Sequence, residues 1–190
     1  KANAYGHGMQ EVAKAVIGAG CGDLAVAIPE EGIALREAGI QGTNILVLGA
    51  IHERAIEACL EHDLTLTVFE PGMVEKINAC AERMHMLAHV HIKLDTGMGR
   101  IGLPMGGFPV IGTDSEALND ALAMARLPGL QAEGIYTHFS AADAADRRFT
   151  HRQLHLFLAA CAQLEAAGLR LPLRHAANSA AVLDLPDAHL

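Results

Sequence analysis

Short runs of β-branched and leucine side chains alternate along the chain with longer stretches in which apolar residues return at helical spacing. Asp23 to Ala27 (DLAVA) reads as a buried strand, and Pro29 then opens a helix through Glu30, Glu31 and Leu35 that Gly39 stops. Proline early and glycine late is the punctuation a helix favours. The first turn has no use for the proline's missing amide, and glycine tolerates the turn beyond the end. Ile45 to Gly49 (ILVLG) is the next strand, followed by a helix over Glu53 to Glu61. Leu64 to Val68 (LTLTV) is another strand, and Pro71 begins a helix to about Arg83. Then come a strand over Val90 to Asp95, a glycine-rich loop, a helix over Ser115 to Ala125 and a strand over Glu133 to Phe139. A long helix spans Asp146 to Ala167, and a final strand, Leu171 to Ala176, leads into Asn178, Ser179 and a short helical run.

Strands alternating with crossover helices imply an α/β fold with a parallel sheet covered on both faces. Six strands are legible, with a seventh ending at Lys1 if the pattern extends backward. A closed (β/α)8 TIM-type barrel needs eight strands in roughly 250 residues. The expectation is therefore a partial N-terminal barrel domain over residues 1–190, lacking most of its first strand and all of its last. An open doubly wound sheet is the alternative, but no GxGxxG follows any of these strands. No internal repeat or linker divides the chain.

Composition narrows the class. Of 190 residues, 51% are hydrophobic and 19% charged, with a net charge of −8. That is enough apolar surface for a core, and it excludes a disordered tail. The acidic balance argues against a nucleic-acid-binding surface, and the apolar runs fall short of the ~18 residues of a membrane span. Cys21, Cys59, Cys80 and Cys161 form no CxxC pair, which favours free thiols in a reducing compartment and so a cytoplasmic protein. The first residue is Lys, and nothing near it reads as a signal segment.

In such barrels the chemistry collects at the C-terminal ends of the strands. The polar residues there are Lys1, Tyr5, Lys93, Asp95, Arg100, His138, Asn178 and Ser179. Lys1 is either a solvated surface residue or a lysine whose amine, walled by apolar groups, is neutral enough to attack an aldehyde or take a proton. Tyr5 either reaches a phosphate or is a rim aromatic. In the strand HVHIKLD, Val90, Ile92 and Leu94 share one face, and His89, His91, Lys93 and Asp95 the other. A lysine facing inward is costly unless paired. Two answers are open: a structural Lys93–Asp95 ion pair, or a lysine covalently neutralised or inverted in charge. The following loop, DTGMGRIG, uses Gly97, Gly99 and Gly102 to bring backbone close to a ligand. It also delivers Arg100, a fixed cation suited to a carboxylate or phenolate oxygen. His138 is either structural or catalytic. Ser179 is either a plain N-cap or part of a phosphate-holding helix start. His151 and His155 lack an HExxH context and the His89/His91 pair lacks a third ligand, so no metal is expected.

KANAYGHG, AVAIPEEGIALREAG (Ala25 to Gly39), ILVLG, IKLDTGMGRIG, GIYTHFSAAD and HAANSAA stand in this order along the chain. Together they resemble the alanine racemases, fold-type III pyridoxal-phosphate enzymes with an N-terminal (β/α)8 barrel, a C-terminal β-domain and a head-to-tail homodimer. The resemblance covers essentially the whole chain, and KANAYGHG with KLDTGMGRIG carries most of its specificity. It implies that Lys1 tethers pyridoxal 5′-phosphate as a Schiff base and serves as the base for D-alanine. Tyr5 and Ser179 contact the phosphate, with Asn178 alongside. Lys93 matches a lysine that is carbamylated in many members, and as a carbamate it orients Arg100. Arg100 holds the pyridoxal ring oxygen and meets the substrate carboxylate, and His138 lies beside the pyridine ring.

The resemblance also implies groups outside this chain. The second catalytic base is a tyrosine from the partner's C-terminal domain, and Tyr136, inside a strand, does not match it. An arginine facing the pyridine nitrogen is expected a few residues past Leu190. The implied activity is interconversion of L- and D-alanine, for peptidoglycan supply or D-alanine breakdown. The 190-residue polypeptide alone is expected to fold poorly and be inactive, its sheet edges being unpaired. Two alternatives stay open: a racemase of the same fold with a broader substrate range, and a non-catalytic pyridoxal-phosphate-binding homologue.

Overall fold

The computed structural model describes residues 2–106 and 114–190, so Lys1 lies outside the described residues. The chain forms two compact units. The first comprises Lys1–Thr67, Lys76–Val90 and Pro128–Gln131; the second comprises Val68–Glu75, His91–Leu127 and Ala132–Leu190.

The first unit is built on α1 (Met9–Gly18), β1 (Asp23–Val26), α2 (Pro29–Glu37), β2 (Asn44–Val47), α3 (Ile56–Glu61) and β3 (Thr65–Val68). Most of α4 (Pro71–Met84) and the start of β4 (Ala88–Asp95) complete it. Its strand order is β1-β2-β3-β4. β1 and β2 run parallel, with Asp23 opposite Asn44 and Val26 opposite Val47, and β2 and β3 pair in the same sense. All four residues of β3 are buried, as fits a parallel sheet covered on both faces, and the Thr67 hydroxyl donates to the Val47 carbonyl at 2.7 Å.

Gly39 ends α2 as expected. Its N–H donates to the Arg36 carbonyl at 3.0 Å, and that of Ile40 to Leu35 at 3.1 Å, the paired closure of a helix end by glycine. Two features depart from the sequence expectation. α1 went unforeseen although Met9, Val12, Ala13 and Val16 recur at helical spacing, because Gly18, Gly20 and Gly22 crowd its end and blur the period. The helix expected over Glu53 to Glu61 divides into a 3₁₀ turn, Glu53–Ala55, and α3.

The second unit carries the rest of β4, β5 (Leu103–Pro104), α5 (Asp114–Ala125), most of β6 (Leu130–Tyr136), α6 (Arg148–Ala166), β7 (Leu173–His175) and α7 (Ser179–Asp184). Its strand order is β4-β6-β7, with β5 added to β4. β6 and β7 are parallel, with Gly134 opposite Leu173 and Tyr136 opposite His175.

β6 begins and ends three residues earlier than expected. Thr137 still donates its N–H to the His175 carbonyl of β7 at 3.2 Å, and beyond it side chains capture the run expected to close the strand. The Thr137 hydroxyl bonds that of Thr96 at 2.7 Å, and Gln153 takes the carbonyl of His138 and the N–H of Ser140. Gln153 stands fully buried on the α6 face that also buries Leu154, Phe157 and Cys161. The four cysteines are free thiols, and burial pushes those of Cys59 and Cys161 up to about 11. Among the described residues no helix is long and apolar enough to cross a membrane.

Candidate active site

β4 places Lys93 on the same face as His91 and Asp95, and Lys93 is only 3% exposed. Its ammonium lies 4.8 Å from the centroid of the Tyr136 ring on β6, an approach the electron-rich ring face favours. Burial, and then the Arg100 guanidinium nearby, push the Lys93 amine down from the ordinary lysine range to about 8, against a weaker pull from Asp95. Of the two answers open for Lys93, the ion pair with Asp95 is disfavoured, because that carboxylate is committed to its own loop.

Both oxygens of Asp95 are occupied by the loop that follows. Oδ1 accepts from the backbone N–H groups of Gly97, Met98 and Gly99 at 2.7–3.1 Å, and Oδ2 from that of Arg100 at 3.0 Å. The carboxylate is thus the hub of a turn that presents Arg100, which is exposed, from a fixed backbone. The glycines serve this turn as much as any ligand. A Cβ at Gly102, where φ is +131°, would come 2.6 Å from the Asp95 nitrogen, and one at Gly97 would come 2.8 Å from the Phe149 ring. The close approaches expected against a ligand are, at these two positions, made to the protein itself.

His138 falls two residues beyond β6, in the segment that Gln153 clamps. Gln153 was not foreseen as part of the site. A glutamine at a core-facing position of an otherwise apolar helix stripe is the signal that could have found it. Asn178, not Ser179, is the N-cap of α7: its Oδ1 accepts from Ala181 N–H at 3.1 Å and its Nδ2 donates to the Phe139 carbonyl at 3.4 Å. With the amide so engaged, Ser179 is left exposed at the first position of the helix. The β6–α6 loop therefore holds both His138 and the start of α7.

In the first unit, the residues after Lys1 form a left-handed turn. Asn3, Ala4 and Tyr5 have φ of 48°, 51° and 59°, and the Asn3 carbonyl accepts from the N–H groups of Gly6 and Gly8. The Asn3 side chain caps α1 by accepting from Met9 N–H at 2.9 Å. Such a run by non-glycine residues costs about 1–2 kcal/mol each, so the turn is held by these bonds. It leaves Tyr5 68% exposed. Among the described residues, no cluster of histidine, cysteine and carboxylate side chains could hold a metal.

The sequence pattern of the family "Alanine racemase, N-terminal domain" matches residues 1–190. The chain belongs to the alanine racemase family. It is 40% identical over 191 residues to the alanine racemase of Clostridium tetani, covering all of this chain and 47% of that protein. To the alanine racemase of Desulforamulus reducens it is 43% identical, covering all of this chain and 49% of that protein. It thus spans about half the length of these curated relatives. Among solved structures, the alanine racemase of Clostridium difficile 630 superposes with a TM-score of 0.92 at 35% identity, over all of this chain and 50% of the other. That of Bacillus anthracis with bound L-Ala-P gives 0.85 at 36% identity, over 97% and 45%. The fold class is accordingly α/β of the (β/α)-barrel type found in alanine racemases.

Proposed function

We propose that the protein containing this chain interconverts L- and D-alanine with pyridoxal 5′-phosphate, and that residues 1–190 are part of its N-terminal barrel domain. The observation that carries the reading is the pairing of an inward-facing Lys93, its amine pushed down to about 8, with Arg100 held by the Asp95 turn. In the second unit the donors suit a phosphorylated carbonyl compound: a guanidinium on a fixed backbone turn and a helix start with an exposed serine. Bound there, the cofactor would supply the electron sink that lets the Cα proton of alanine leave.

The residues divide the work. Lys1 would tether the cofactor through its aldehyde and would take or return the Cα proton of alanine on one face. Tyr5 and Ser179 hold the phosphate, and Asn178 fixes Ser179 by capping α7. Arg100 holds the ring oxygen and the substrate carboxylate, and His138 borders the pyridine ring. The neutral Lys93 amine attacks CO₂, forming an N–C bond while one C=O electron pair moves to oxygen and the amine loses a proton to solvent. The resulting carbamate turns a costly inward cation into an anion that orients Arg100. A tyrosine of the partner subunit's C-terminal domain completes the pair of bases on opposite faces, so the enzyme acts as a homodimer. We place it in the cytoplasm, where D-alanine serves peptidoglycan synthesis or is degraded.

Lys1→Ala in the full-length protein is expected to abolish the visible absorption that pyridoxal phosphate gains on binding to a lysine, together with racemisation. An unchanged spectrum in that variant would overturn the assignment of Lys1. Chiral analysis of several amino acids incubated with the wild type separates an alanine-directed enzyme from a broader one.

A further inference from the structure

The face of β4 that carries Lys93 also carries His91, two residues earlier and 7% exposed. His91 Nδ1 lies 2.9 Å from Nε2 of His175 on β7. At that separation one nitrogen donates and the other accepts, so a single proton occupies the gap. The His91 ring is held from below: a Cβ at Gly134 on β6 would lie 2.6–2.7 Å from three of its ring atoms, a distance that only glycine at this position avoids. His175 in turn stacks on Tyr136, its register partner, with ring centroids 4.5 Å apart and planes 7° from parallel. Tyr136 presents its ring to the Lys93 ammonium.

We propose that His91 is a positioning residue of the active site. Its one-proton bond to His175 fixes the imidazole against which Tyr136 stacks, and so sets the aromatic wall that locates the Lys93 amine. The inference rests on the reading above only in taking Lys93 as part of that site. The four side chains come from three adjacent strands, so their spacing is set by the sheet. The hydrogen bond adds what the sheet cannot, the rotation of the two imidazole rings.

The test uses full-length protein labelled with ¹⁵N-histidine and ¹³Cε-lysine. The wild type is expected to show a scalar coupling across the His91–His175 bond. It should also show the Lys93 ε-methylene shifted upfield by the Tyr136 ring, the signal being assigned by its loss in Lys93→Arg. His91→Leu should lose the upfield shift and about tenfold in kcat. His91→Asn, which keeps a polar atom near the Nδ1 position, should retain most of both. Absence of the coupling in the wild type, or an unmoved Lys93 signal in a folded His91→Leu, would overturn the proposal. A wild type that shows both signals but does not racemise alanine would sink the functional reading and leave this one standing.

Discussion

Two buried cations, one in each unit, are treated in opposite ways. Arg36, 7% exposed, spends its guanidinium on the carbonyls of His62, Ile40, Thr43 and Asp63 at 2.7–3.1 Å, with the Asp63 carboxylate at 3.4 Å. It ties the end of α2 to the turns before β2 and β3. Lys93, 3% exposed, rests on an aromatic face beside a second cation. A charge surrounded by acceptors is a structural joint, because burial costs little once its donors are satisfied. A charge left beside Arg100 is shifted toward its neutral form, the amine falling to about 8.

The largest effect on stability should come from breaking the joint. Arg36→Met leaves buried carbonyls without donors and is expected to cost about 3–5 kcal/mol, read from chemical denaturation of the full-length protein. The kcat of the folded fraction should stay within about twofold. The reverse pattern is expected for Lys93→Met: little loss or a gain in stability, and about 100-fold lower activity, the size of effect seen when a positioned charge is removed. If both variants lost stability alike and activity alike, the distinction between joint and reactive amine would be wrong.

pH sharpens the same contrast. The Lys93 amine is held below its unfolded value, so the folded and unfolded states bind the proton equally below about pH 8. Between there and the ordinary lysine range the unfolded state binds more. Lys93 is therefore expected to make stability rise with pH across that window, and its capacity to take up CO₂ should rise with its neutral fraction. Subtracting the denaturation curves of Lys93→Met from those of the wild type at several pH values isolates the trend. A flat difference would contradict the depressed amine. The smallest effect expected is that of Asn178→Ala, about 1 kcal/mol for a lost N-cap, with weaker cofactor binding in an equilibrium titration if α7 holds the phosphate.

Much of this was legible along the chain because period and punctuation are local. The alternation of AHVHIKLD, the proline opening α2 and the glycine closing it fix strand, face and helix end without tertiary knowledge. The misreadings lie where distant partners decide. His138 and Phe139 have strand-like composition yet lie beyond the strand, where Gln153 takes the carbonyl of the first and Asn178 that of the second. For Lys93 the sequence left an ion pair with Asp95 and a covalent change both open, and four backbone amides of the following loop claim that carboxylate. The bond between His91 and His175 spans 84 positions, and no local pattern announces it.

The central claim is that the protein removes and returns the Cα proton of alanine. Full-length protein loaded with pyridoxal phosphate, incubated with L-alanine in D₂O, tests it directly. We expect D-alanine to accumulate with deuterium at Cα and both processes to cease in Lys1→Ala. L-alanine recovered unchanged, with its Cα proton intact, would contradict the account.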